Sequence, residues 1–144
     1  VATFEDLVPL TYFGPQAAAV LVAVGWLGRE SSFRTGPVTG EFYERLKQLM
    51  ARRFSPIVCA GGHACELCQF DPAYGSGNLF VPEGNRLLVC PELVVHYIAT
   101  HHYQPPELFC GAVLRCPDPG GSEYRKQFLR AGGRLLISPP ANRP

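Results

Sequence analysis

Apolar positions recur at helical spacing early in the chain. From Thr39 onward, Phe42, Leu46, Leu49 and Met50 fall on one face of a 3.6-residue period. Thr39 or Gly40 suits the cap, Glu41 and Glu44 suit the positive end of the helix dipole, and Lys47, Arg52 and Arg53 lie toward its negative end. The spacing predicts a helix of roughly three to four turns. Ahead of it, "TYFG" (11–14) and "VLVAVGWLG" (20–28) are apolar, partly β-branched and closed by glycine, which suits strands. "PQAAAVLV" (15–22) could equally begin a helix at its proline, so both readings stand there.

Beyond the helix, "FSPIVCAGG" (54–62) reads as a short strand running into a glycine pair, and "NLFVPEGNRLLVC" (78–90) as a hairpin turning at "PEGN". "PELVVHYIATHH" (91–102) follows as a helix with Pro91 near its first position, where the missing amide hydrogen costs nothing. "QPPELFCGAVLRC" (104–116) restarts as a helix at the double proline. "GGSEYRKQFLRAGG" (120–133) is another, bounded by glycines, with Ser122 available as its cap. The prolines of the end segment, 136–144, predict an irregular tail. Short strands with intervening helices imply an α+β fold, a small mixed sheet with about three helices, rather than a regular parallel sheet.

Composition narrows the function classes. A chain of 144 residues is the size of one domain, 1–144. With 17% charged residues and a formal net charge of +1, there is no basic field for wrapping nucleic acid. "YRKQFLR" (124–130) is better read as a solvated amphipathic helix than as a nucleic-acid contact, and a protein partner is expected. The longest apolar run, residues 17–28, is shorter than the roughly 20 residues of a membrane span. The opening "VATFEDL" lacks the basic start of a signal peptide, and a reduced, cytoplasmic chain is the expectation.

The six cysteines could make three disulfides, but their distribution argues for another use. Cys59, Cys65 and Cys68 gather around one histidine, whereas Cys90, Cys110 and Cys116 sit in apolar surroundings, where a free thiol packs like a small hydrophobe. In "GGHACELCQ" (61–69), Cys65 and Cys68 form the C-x-x-C spacing that lets two thiolates from one turn reach a single tetrahedral ion, each at about 2.3 Å. "VVHYIATHH" (94–102) offers His96 and His101 as H-x4-H, a spacing used by structural zinc sites, and 27 residues separate Cys68 from His96. This predicts a zinc-stapled loop inside a larger domain. Five residues of regular helix turn His101 about 140° from His96, so a shared ion needs a loosened last turn; Thr100, the doubled histidine and "QPP" mark such an end.

His63 competes as a ligand, because H-x-C-x-x-C puts three donors in one loop after two glycines able to take strained angles. Cys59, in an apolar stretch, is more easily read as core. His101, among Leu93, Val94, Tyr97 and Ile98, could instead be a satisfied core histidine, and His102 is expected to face solvent. A redox C-x-x-C pair needs a helix start and a βαβ setting that the sequence does not offer. The alternative function is a metal-dependent enzyme with an open zinc site, in which Glu66 is the general base. The zinc deaminase pattern is not satisfied, and neither "GPVTG" nor "YGSGN" matches a phosphate-cradling loop or a nucleophile elbow.

The segments "AVGWLG", "GHACELC" and "PELVVHYIATHHYQPPELF", in that order, resemble an uncharacterised family of small bacterial proteins. The resemblance covers about residues 4–115. It implies a shared domain and joint importance of His63, Cys65, Cys68, His96 and His101, without supplying a reaction. Cys90 stands where that pattern usually has a small residue, which favours a structural role for it.

Overall fold

The computed structural model describes residues 2–56 and 62–137, so Cys59 and most of the strand expected over 54–62 lie outside the described residues. The chain folds as α+β. A three-stranded sheet has the order β1-β5-β4, formed by β1 (Leu21–Ala23), β4 (Asn78–Glu83) and β5 (Arg86–Pro91). A separate two-stranded ladder pairs β2 (His63–Ala64) with β3 (Tyr74–Gly75). The helices are α1 (Gly40–Ala51), α2 (Val94–His101), α3 (Glu107–Arg115), α4 (Ser122–Phe128) and a short α5 (Arg134–Ile137).

Helix α1 forms where its periodicity places it. Thr39 Oγ1 accepts the Phe42 amide at 3.2 Å, and Phe42, Leu46, Leu49 and Met50 are the buried face. Past its end, Arg53 donates to the Met50 carbonyl at 2.8 Å. The central strand β5 is buried along Leu87, Leu88, Val89 and Cys90. Such a continuous apolar strand is covered on both faces, as the helices α1, α3 and α4 packed about the sheet require. Trp26 Nε1 donates to the Val89 carbonyl at 2.9 Å, fixing the chain that leaves β1 against the middle of the sheet.

Several expectations are corrected. "TYFG" is a turn rather than a strand, closed by Gly14 at φ 105°. "PQAAAVLV" contributes only a single 3-10 turn, Ala17–Ala19, before β1. β1 itself stops at Ala23, because the chain turns at Gly25 with φ 75°, where a Cβ would stand 2.6 Å from Val94 Cγ2. The hairpin turn is Gly84–Asn85, one step tighter than "PEGN", since Pro82 and Glu83 stay in register with Leu87 and Arg86. Pro91 ends β5 opposite Asn78 and does not start α2, because the ladder continues through it to the Glu92 amide, which donates to Gly77 O at 3.1 Å. Ser122 is the first residue of α4 and makes no side-chain cap; Gly121 precedes it. Leu136 and Ile137, assigned to an irregular tail, belong to α5, and 138–144 lie outside the described residues.

Candidate metal centre

The β2–β3 ladder is the base of the loop that carries the cysteines. His63 pairs with Gly75 and Ala64 with Tyr74, and the Cys65 amide donates to Ala73 O at 2.8 Å. Gly62 serves close approach here: a Cβ on it would sit 2.3 Å from the Gly75 carbonyl oxygen. The loop then turns tightly. The Leu67 amide points at Cys65 Sγ, 3.3 Å away, which orients that sulfur and favours its thiolate.

The histidines come from α2. Its final turn is widened: the His102 amide donates to Tyr97 O, five residues back instead of four, and His102 takes the left-handed conformation with φ 60°. This swings His101 toward His96, leaving the two rings 5.0 Å apart and nearly perpendicular. His102 is exposed.

The four donors converge. Cys68 Sγ lies 3.2 Å from His96 Nε2 and 3.5 Å from His101 Nε2, and Cys65 Sγ lies 3.4 Å from His101 Nε2. The ligand atoms of Cys65, Cys68, His96 and His101 all fall within 4.8 Å of one another, close enough to hold one metal ion. A tetrahedral zinc with ordinary Zn–S and Zn–N lengths has S···N edges of about 3.6 Å, so the observed separations fit that ion to within a few tenths of an ångström. Two thiolates with two imidazoles also suit zinc chemically.

Burial works on the donors in the absence of a cation. It pushes the Cys65 thiol up and the His96 imidazole down, the latter helped by His101, so both groups favour their neutral forms. A divalent cation reverses the balance at sulfur, where the bound form is the thiolate. Thr100 Oγ1 lies 3.3 Å from His96 Nδ1; with Nε2 on a metal, Nδ1 carries the proton and the hydroxyl accepts it. Thr100 carries no ligand motif, but its position four residues after His96 puts the two on one helix face, where their side chains meet.

His63 and Glu66 do not join the group. Among the described residues the cluster consists of the two cysteines and two histidines alone. His63 is held in the β2–β3 ladder, half-buried, its imidazole pushed down by burial. Glu66 Oε1 accepts the Arg29 backbone amide at 2.9 Å. The carboxylate thus ties the cysteine turn to the 28–31 turn, where the Gly28 amide meets Ser31 Oγ at 2.8 Å. Cys90 and Cys116 are core thiols, both raised by burial, Cys116 to about 12.

The family model described as a domain of unknown function, DUF7919, matches residues 2–114. The chain belongs to the DUF7919 family. The matched span takes in β1, both cysteines of the cluster, both histidines and most of α3; α4 and α5 fall outside it. No curated protein matches the chain. No solved structure matches it either. The chemistry of this DUF7919 chain therefore has to be read from its own side chains.

Proposed function

We propose that Cys65, Cys68, His96 and His101 bind one zinc ion in a closed, structural site, and that the chain is a small binding or adaptor domain for a protein partner in the cytoplasm. The observation that carries this is the meeting of four donors from two segments within 4.8 Å. Zinc bound there supplies a cross-link between the cysteine loop and α2, and four protein donors leave no coordination position for water or substrate. Three of the four ligands have a positioning contact or element of their own: the Leu67 amide for Cys65, the Thr100 hydroxyl for His96, the widened helix end for His101.

Two observations weigh against the metal-dependent enzyme. The donor count fills the coordination shell, and the Glu66 carboxylate is engaged by the Arg29 amide rather than turned to the cluster. The adaptor part is supported by the loop that zinc would fix. Phe70 on it and Tyr74 at its base in β3 are 78% and 69% exposed, the two most exposed large hydrophobics among the described residues. No helix among the described residues is long and apolar enough to cross a membrane. Thiolate ligation suits a reducing compartment, where cysteines remain available to metal.

Cobalt substitution tests the site. The expected spectrum has intense tetrahedral d–d bands with thiolate-to-cobalt charge transfer, and Cys68→Ala removes part of the charge-transfer intensity. A weak octahedral spectrum would count against four-donor closure.

A further inference from the structure

The cysteines differ in ways that bear on oxidation. Cys65 and Cys68 lie in one turn with their sulfurs within 4.8 Å. Cys68 is half-buried at the surface, and Cys65 is buried behind it. Cys90 and Cys116 are buried, and burial raises both thiols, so they stay protonated and weakly nucleophilic. Burial also raises Cys110. The two fully enclosed thiols outside the cluster, Cys90 and Cys116, therefore compete poorly for an oxidant.

We propose that Cys65 and Cys68 are an oxidation-sensitive switch on the zinc site, in which peroxide joins them as a disulfide and the ion is given up. This deepens the zinc reading above and rests on it. In the first step the half-buried Cys68 thiolate, the more accessible of the two, attacks one peroxide oxygen; the O–O bond breaks, leaving Cys68 sulfenic acid and hydroxide. In the second, the Cys65 thiolate attacks the Cys68 sulfur, forming the S–S bond and expelling a second hydroxide. The two sulfurs lose two electrons in all, the peroxide gains them, and two protons from solvent turn both hydroxides into water. Only His96 and His101 then remain as donors, too few for a structural zinc. The cysteine loop loses its tie to α2, and with it the fixed presentation of Phe70. A thiol reductant reverses the disulfide, and zinc can return.

The experiment uses the full chain, purified under reducing conditions and freed of reductant. Hydrogen peroxide is added while a chromogenic chelator follows free zinc and peptide mass mapping follows the cysteines. The expected result is loss of the zinc together with a Cys65–Cys68 disulfide, two hydrogens lighter than the dithiol, and zinc uptake again after reduction. The variant Cys68→His keeps four donors but cannot form the disulfide. It is expected to bind zinc and to hold it through the same peroxide treatment. Zinc release with only sulfinic or sulfonic acids, a disulfide joining either residue to Cys59 or Cys90, or release from Cys68→His as fast as from the parent would each overturn the switch. A chain that carries zinc but keeps it under peroxide defeats the switch alone, whereas a chain that never carries zinc defeats the switch and the zinc reading together.

Discussion

Cys68 Sγ stands 3.2 Å from His96 Nε2, although 28 positions separate the two residues in the chain. A sulfur and an imidazole nitrogen at that distance, repeated between Cys65 and His101, share a point in space that a cation can occupy. A cation there would join the cysteine loop directly to α2, beyond the tie that the Ser76 amide makes to Glu92 at the start of that helix, and the ion is expected to carry much of the attachment.

Removing a ligand should therefore cost both metal and stability. His101→Ala is expected to abolish tight zinc binding and to lower unfolding free energy by about 4 kcal/mol, the range reached when a structural metal is lost. Denaturant titration with and without chelator checks this. The parent should become less stable in chelator, and His101→Ala should be indifferent to it.

Thr100→Val tests the support of His96. The valine keeps the shape and deletes the acceptor for Nδ1. Zinc affinity is expected to fall about 10- to 100-fold while stoichiometry is kept, the usual cost of losing such a partner. Competition against a chelator of known affinity measures it.

Glu66→Ala separates a structural carboxylate from a catalytic one. The Arg29 amide loses its acceptor across 37 positions of sequence, at an exposed site. The expected loss is about 1 kcal/mol of stability with zinc content unchanged. Glu66→Gln, which keeps an acceptor, should cost less.

Thiol labelling reads the environments directly. Burial holds Cys116 up to about 12 and Cys90 higher still, so both should resist iodoacetamide at pH 8 in the folded chain. Cys65 and Cys68 should alkylate slowly while zinc is bound, the bulkier iodoacetamide reaching them less readily than peroxide, and faster after chelation. Mass mapping of the adducts distinguishes the two pairs, and early labelling of Cys116 would show that the core opens more readily than its packing implies.

The parts of the fold that sequence disclosed are those governed by local period. α1 is legible because its apolar spacing, its Thr39 cap and its charges agree, and β4–β5 because two apolar runs flank a glycine turn. Where tertiary contact decides, local reading fails. β1 is cut to three residues by the Gly25 turn against Val94, and Pro91 belongs to the ladder with Asn78 despite its helix-starting appearance.

The cluster follows the same division. C-x-x-C and H-x4-H are spacings that a shared metal would use, so Cys65, Cys68, His96 and His101 could be picked out before any geometry was known. His63 has the right chemistry at the right spacing, but the donors that fall within 4.8 Å of one another are those of Cys65, Cys68, His96 and His101. Glu66 bonds an amide in a distant turn, a contact that no local pattern encodes. One further pin of this kind, the buried Tyr103 hydroxyl donating to Asp6 at 2.7 Å, joins the chain just beyond α2 to the amino-terminal segment. Tyr103→Phe should cost about 1.5–3 kcal/mol, as for a hydrogen bond to a charged group, with zinc content intact.

Four side chains of this DUF7919 member are proposed to hold one zinc. Elemental analysis of the chain purified without added metal tests it most directly. About one tightly held zinc per chain is expected, surviving dialysis and lost from Cys65→Ala and His101→Ala. A substoichiometric trace, or an undiminished zinc content in both variants, would contradict it.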